Sequence, residues 1–243
     1  MKYTVLTLFP EITDAFFANS IMAKAIKRGI IEYRAINIRD FAIDKHKTCD
    51  DAPYGGGPGM LMLPEPLDLA LKTALNSDSH RVIYLSPSGR TFNQELAREL
   101  AAEKELILLC GRYEGIDQRI IDRYVDDEVS VGDYVLSSGE VAALAIIDAT
   151  YRLVDSVICA DSLDEESFSG GLLEYPQFTR PEVFDTMKVP DVLLSGHHEQ
   201  IRLWRLEKRV EKTLRLRPDL IERGIKLGIF NDEILGIIDR RKT

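Results

Sequence analysis

Short, unbroken apolar runs limit this chain's fold more than any other feature. RVIYL (81–85), after its opening Arg81, and LILLC (106–110) are apolar at consecutive positions. A strand wet on one face alternates, whereas one that is apolar throughout is covered on both faces, as in a parallel sheet layered by helices. Similar β-rich runs lie at 3–8, 31–38 and 128–131, and helical spacing is seen at 20–28, 65–75, 93–102, 116–124 and 139–150. The opening, MKYTVLTLFPEITDAFF, reads as a strand entering a helix. The alternation predicts an α/β fold with a mostly parallel sheet.

The pattern changes after residue 155. Asp161, Asp164, Glu165, Glu166 and the pair Gly170-Gly171 interrupt any period, which predicts an acidic linker. Beyond Pro190 the spacing is helical. In HHEQIRLWRLEKRVEKTLRLR (197–217), Leu203, Leu206, Val210 and Leu214 form a packing stripe, and Arg202, Arg205, Arg209 and Lys212 an adjoining basic one. Two shorter helices are expected at 219–227 and 231–240. The expected organisation is therefore an α/β domain over 1–158, a linker over 159–171 and a small all-helical domain over 172–243.

Charge follows the same division. The chain has 31 basic and 40 acidic residues. Residues 196–243 hold 12 Lys and Arg against 8 Asp and Glu, while the remainder holds 19 against 32. A basic module on an acidic body can present a nucleic-acid surface, although a solvated helix face has the same composition. No window approaches the length of apolar sequence that a membrane span needs, and the start has no basic leader, so a soluble cytoplasmic protein with no membrane partner is expected. Cys49, Cys110 and Cys159 are scattered and odd in number, which suits neither a disulfide framework nor a metal cage. His197 and His198 are adjacent and would not share one helix face as zinc ligands do, so no structural metal is expected.

Several loops carry chemistry. In PYGGGPGM (53–60), Gly55, Gly56, Gly57 and Gly59 allow backbone conformations closed to other residues; a working loop near Lys45, His46 and Lys47, or a plain turn, fits this sequence. SPSGR (86–90), GRYEGID (111–117) and VGDYVLSSGE (131–140) each follow an expected strand. Ligands of parallel sheets bind where loops leave the carboxyl ends of strands, so three such loops imply one shared pocket. Tyr113 suits stacking, and Glu114 and Asp117 suit either ligand hydrogen bonds or helix capping. Glu166, on a loop that can order around a substrate, is a candidate general base. Arg152, ending an expected helix, suits either dipole compensation or catalysis. No GxGxxG opens a helix after a strand, which argues against a dinucleotide-dependent oxidoreductase.

These segments, with LFPE (8–11), RDF (39–41), DDAPYGGGPGMLM (50–62), YLSPSGR (84–90), GLLEYPQFTRPEV (171–183) and VPDVLLSGHHEQIRLWR (189–205), resemble the bacterial tRNA (guanine-N1)-methyltransferases of the TrmD family, SPOUT class. The resemblance covers nearly the whole chain up to about Arg217. It implies methyl transfer from S-adenosyl-L-methionine to N1 of the guanosine 3′ of the anticodon, position 37, and a deep trefoil knot in the first domain. It also implies Mg2+ dependence, for which the sequence offers no ligand cluster, and a homodimer whose active site draws on both subunits.

By motif, the donor site would be Tyr84, Leu85, Ser86, Pro87, Gly111, Arg112, Tyr113, Glu114, Gly115, Val131, Gly132, Tyr134, Leu136, Ser138 and Gly139. Catalysis would fall to Glu166 and Arg152, with Asp164 and Glu165 as competitors for the base. The anticodon stem-loop of tRNA would meet Gly55, Gly56, Gly57, Gly59, Glu174 and the stripe Arg202, Arg205, Arg209 and Lys212. The family often has Asp at the base position and Gly-Gly at 138–139. The departures here, Glu166 and Ser138, keep open a second reading as a noncatalytic RNA-binding protein on a degenerate methyltransferase scaffold.

Overall fold

A computed structural model describes residues 1–75, 79–158 and 166–242. The chain divides into two units, Met1–Ile158 and Cys159–Thr243. Among the described residues, the first unit contains strands β1 (Lys2–Thr7), β2 (Glu32–Asn37), β3 (Asp50–Asp51), β4 (Leu61–Met62), β5 (Arg81–Thr91), β6 (Glu105–Leu109) and β7 (Asp127–Ser130). Its helices are α1 (Pro10–Phe17), α2 (Ser20–Lys27), α3 (Pro64–Ala74), α4 (Gln94–Ala101), α5 (Gln118–Tyr124) and α6 (Gly139–Tyr151). The apolar runs form one five-stranded sheet, ordered β2-β1-β6-β5-β7 and parallel at every pairing.

The central strand shows why continuous apolar sequence is needed. Every residue of β6 is buried. Leu106 and Leu108 enter a core built with α1, α2, α4 and α6, while Ile107 and Leu109 enter a second core built with α3 and α5. Burying each such side chain contributes about 1.5–3 kcal/mol. Glu105, the polar member of β6, is satisfied by Lys2 Nζ at 2.8 Å and by the Thr4 hydroxyl at 2.8 Å. Helix starts follow local chemistry. Pro10 and Pro64 open α1 and α3, and the Asn93 side chain accepts from the Leu96 amide at 2.9 Å to cap α4.

Strand β5 departs from the sequence expectation, which ends it at Leu85. After an irregularity between Leu85 and Arg90 the chain rejoins β7, pairing Arg90 with Val129 and Thr91 with Ser130. Pro87 and Gly89 read as a turn in sequence, yet Gly89 is there because a Cβ would lie 2.4 Å from the Glu128 carbonyl carbon. A second close crossing lies at the start of α6. The Gly139 amide donates to the Gly111 carbonyl at 2.9 Å, and a Cβ on Gly139 would lie 2.8 Å from Cys110 Cα. Two backbones this close are compatible with the knot that the resemblance implies.

The second unit is a small helical body with a two-stranded hairpin, β8 (Val183–Phe184) and β9 (Met187–Lys188). Its long helix, His198–Leu216, packs on Pro218–Leu227 and Asp232–Lys242 around Leu172, Val210, Ile221, Phe230, Ile237 and Ile238. The packing stripe differs from the expected one at its start: Leu206, Val210 and Leu214 join this core, but Leu203 is exposed. Thr213 takes a packing place instead, accepting from the Leu173 amide at 2.9 Å and donating to the Arg209 carbonyl at 2.7 Å.

Candidate functional site

Strands β6, β5 and β7 are neighbours, so the loops that leave their carboxyl ends converge on one side of the sheet. Between these loops is a cavity of about 550 Å3. All the residues that motif resemblance assigns to the methyl donor line it, from Tyr84–Pro87, Gly111–Gly115 and the 131–139 loop. Ser88, Val129, Ser130, Val135, Ser137 and Ala142 also line it and were not singled out from sequence. Val129 and Ala142 are buried members of the first core, so they read as packing until the loops are folded over them.

The cavity's geometry depends on a few close contacts. Gly111 is required because a Cβ would meet the Tyr84 ring at 2.9 Å. Burial of Tyr84 raises its phenol pKa, with Glu128 adding to the effect, so the hydroxyl stays protonated. Ser138 has φ −165° and ψ 157°, extended backbone open to any residue, so the serine costs no backbone freedom at that position. Arg112 bridges Ser138, lies 4.3 Å over the Phe9 ring and stands 4.0 Å from Glu140 Oε2. Glu140 is buried, accepts from the Thr7 hydroxyl at 2.5 Å and, with burial itself as the larger cause, helps push the Cys110 thiol well above its ordinary pKa.

The glycine loop is tied to this rim. It spans the tip between β3 and β4, whose register pairs Asp50 with Met62. Met62 N–H donates to the Gly115 carbonyl and Glu114 N–H to the Met60 carbonyl, each at 3.0 Å. Gly55, Gly56 and Gly57 have positive φ and open space around them, so they serve conformation. Gly59 also serves close approach, since a Cβ would lie 2.4 Å from Glu114 Cγ. Tyr54 is wholly exposed on this loop. Of the two readings of the acidic pair, Asp117 is a cap, accepting from the Arg119 amide at 2.9 Å, whereas Glu114 lines the cavity.

The remaining site residues lie elsewhere. Arg152 is the C-cap of α6, whose opposite end, Gly139, lines the cavity. At 1.5 Å per residue, that separates them by roughly 19 Å along the axis. Asp164 and Glu165 lie outside the described residues, as does the 159–165 part of the expected linker. Glu166 belongs to the second unit; its carbonyl accepts from the Ser169 amide at 3.1 Å. Ser167 Oγ accepts from the Glu174 amide at 3.1 Å, and Glu174 Oε1 accepts from Gln177 at 2.5 Å.

The arginines of the basic stripe hold protein groups. Arg202 bonds Glu199 and Glu233, each at 2.8 Å. Arg205 lies 4.7 Å over the Tyr175 ring, and Arg209 donates to the Ser169 carbonyl at 2.8 Å and to the Leu173 carbonyl at 3.3 Å. Apart from Glu199, an i,i+3 neighbour, these partners are far away in sequence, and periodicity carries no sign of them. Arg205 and Arg209 thus fasten the segment that follows Glu166 to the long helix, while Lys212 lines a second cavity. Among the described residues no group of three or more His, Cys, Asp or Glu is placed to hold a metal ion, so the implied Mg2+ has no donor set there.

A model of the family described as tRNA (guanine-1)-methyltransferase TrmD matches residues 1–223. The chain is 65% identical to a tRNA (guanine-N(1)-)-methyltransferase of Treponema denticola over 233 residues, covering 96% of each chain. It is 61% identical to the protein of the same name in Treponema pallidum, covering 91% of this chain and 88% of that one. The corresponding protein of Borrelia duttonii is 60% identical, covering 96% of this chain and 98% of its own.

Proposed function

We infer the reaction from one premise: the chain belongs to the TrmD family of tRNA (guanine-1)-methyltransferases, and it is an enzyme that methylates guanine N1 in tRNA. Membership implies S-adenosyl-L-methionine as the donor, and the cavity over β6, β5 and β7 is proposed as its site. The fit is physical. A volume of about 550 Å3 suits a nucleoside-sized ligand. Leu85, Val131 and Leu136 offer apolar cover for a flat ring, and the backbone around Gly111 and Gly139 allows close polar approach. The donor supplies an electrophilic methyl carbon on a positively charged sulfur.

Guanine N1 carries a proton, and its lone pair is delocalised into the ring, so transfer to N1 needs a base. Glu166 is proposed to accept that proton as the nitrogen–carbon bond forms; a positioned base of this kind contributes about 10²–10⁴-fold. Negative charge spreads to O6 as the proton leaves, and the Arg152 guanidinium is proposed to stabilise it there, acting more strongly on the transition state than on the ground state. The rest of the acceleration is placement of N1 in line with the methyl carbon in a site closed to water.

Arg152 supports a dimer. About 19 Å of α6 separates it from the cavity of its own chain, too far for an arginine side chain to span, so we propose that it serves the cavity of a second copy. The target is proposed as the guanosine 3′ of the anticodon, position 37, in a tRNA anticodon stem-loop met by the Gly55–Gly59 loop, and the compartment as the cytoplasm. The observation that carries this reading is that every motif-assigned donor residue lines one cavity. It is tested with radiolabelled S-adenosylmethionine and tRNA transcripts with or without guanine at position 37. Methylation of the guanine transcript alone is expected, with near loss in Glu166→Gln; full activity of that variant would remove Glu166 as the base.

A further inference from the structure

The second unit contains a second cavity, of about 580 Å3, on one face of the helix His198–Leu216. One wall is aromatic: Phe178 and Trp204 have ring centroids 6.3 Å apart and planes inclined at 55°. Phe178 is about half exposed. The helix that carries Trp204 also supplies Lys208, Lys212 and Arg215 to the lining. Glu211, the one acidic residue among those lining the cavity, is paired with Lys208 at 2.8 Å and is also near Arg241 and Arg215, so the cations of this face outnumber its carboxylates. At 1.5 Å per residue, Lys212 and Arg215 lie roughly 12 and 16 Å along the helix from Trp204.

An aromatic platform beside a row of cations is the arrangement that takes single-stranded nucleic acid, with a base stacked on the rings and flanking phosphates on the cations. An apolar peptide would leave the cations unanswered. We propose that this cavity is an RNA subsite separate from the donor cavity: it takes one unpaired nucleotide of the bound tRNA against Phe178 and Trp204, with the neighbouring phosphates on Lys212 and Arg215. The inference rests on the reading that the enzyme acts on tRNA, and it shifts the phosphate-binding face from Arg202, Arg205 and Arg209 to the face of Lys212.

Trp204 is the chain's single tryptophan, which makes its emission a reporter of this cavity alone. The full-length protein is titrated with the guanine-bearing tRNA transcript, following Trp204 emission together with filter binding and methyl transfer. Stacking predicts quenching that saturates with the filter-binding isotherm. Phe178→Ala should weaken tRNA binding about 5- to 100-fold, and Lys212→Gln with Arg215→Gln should lower the salt slope by about one per cation removed. Donor affinity, read by calorimetry, should be unchanged. Active enzyme whose emission ignores saturating tRNA, and whose variants bind tRNA as tightly as wild type, overturns the subsite and leaves the methyltransferase reading intact. No transfer by wild type would overturn that reading instead. Variants that lose self-association in light scattering would make this face a protein interface, and also overturn the proposal.

Discussion

Gly139→Ala tests whether the close crossing at the cavity floor is required. The added Cβ would lie 2.8 Å from Cys110 Cα, 2.9 Å from the Gly111 nitrogen and 3.1 Å from the Cys110 carbonyl carbon. All three are backbone atoms, so no side chain can swing aside. Reaching ordinary contact, near 3.4 Å, requires the start of α6 and the end of β6 to part by about 0.6 Å. Overpacking of this kind costs about 1–3 kcal/mol, and a displacement approaching 1 Å in a reacting geometry costs up to about 100-fold in rate. Urea denaturation and kcat/KM on tRNA should therefore both fall, with a loss of donor affinity by calorimetry. The neighbouring Ser138→Gly is the control: its extended backbone strains nothing, and stability should change by only a few tenths of a kcal/mol, about the size of a surface substitution. Gly139→Ala with wild-type stability and donor affinity would refute the reasoning.

Three further outcomes follow from packing and charge. Tyr3 is fully buried, and burial raises its folded-state pKa, so its contribution to stability is complete below the unfolded pKa of about 10 and declines as pH rises above it. In urea titrations between pH 9 and 11, Tyr3→Phe should reduce the alkaline loss of stability by about 1.4 kcal/mol per pH unit above pH 10; an unchanged slope contradicts this. Cys110, buried and with its thiol pKa raised well above the ordinary value, should resist alkylation by iodoacetamide at pH 8 until the protein unfolds, as read by mass spectrometry. Arg209→Ala removes the bonds to the Ser169 and Leu173 carbonyls. It should lower kcat about 10-fold or more while leaving donor affinity intact, by analogy with other losses of positioning, and equal kcat would show that the segment is held some other way.

Sheet and helices were largely legible in the sequence because buried parallel strands and amphipathic helices impose periods on it. LILLC is apolar throughout because both of its faces are covered. β3, β4, β8 and β9 span two residues each, too few to show a period. The residues that motif resemblance assigns to the donor are named by sequence alone, but their convergence on one cavity rests on strand order, which sequence does not state. Least legible were the arginines. Arg202 reaches Glu233 and Arg209 reaches Ser169, across 31 and 40 residues, and a helical wheel shows only that such side chains share a face. Ser138 illustrates the reverse case: as a departure from Gly-Gly it keeps a noncatalytic reading open, yet its dihedral angles are extended and open to any residue.

We propose that the donor cavity of one chain works with both the Arg152 guanidinium and the Glu166 carboxylate of another, and mixed dimers test this most directly. Glu166→Gln keeps an intact cavity, while Gly111→Trp fills the cavity and keeps Glu166. Each variant alone should be nearly inactive. Unfolding and reassembling them together should restore methylation of guanine N1, because each mixed dimer then holds one complete site. Absence of any recovery, with mixed dimers demonstrated by native mass spectrometry, would contradict the account.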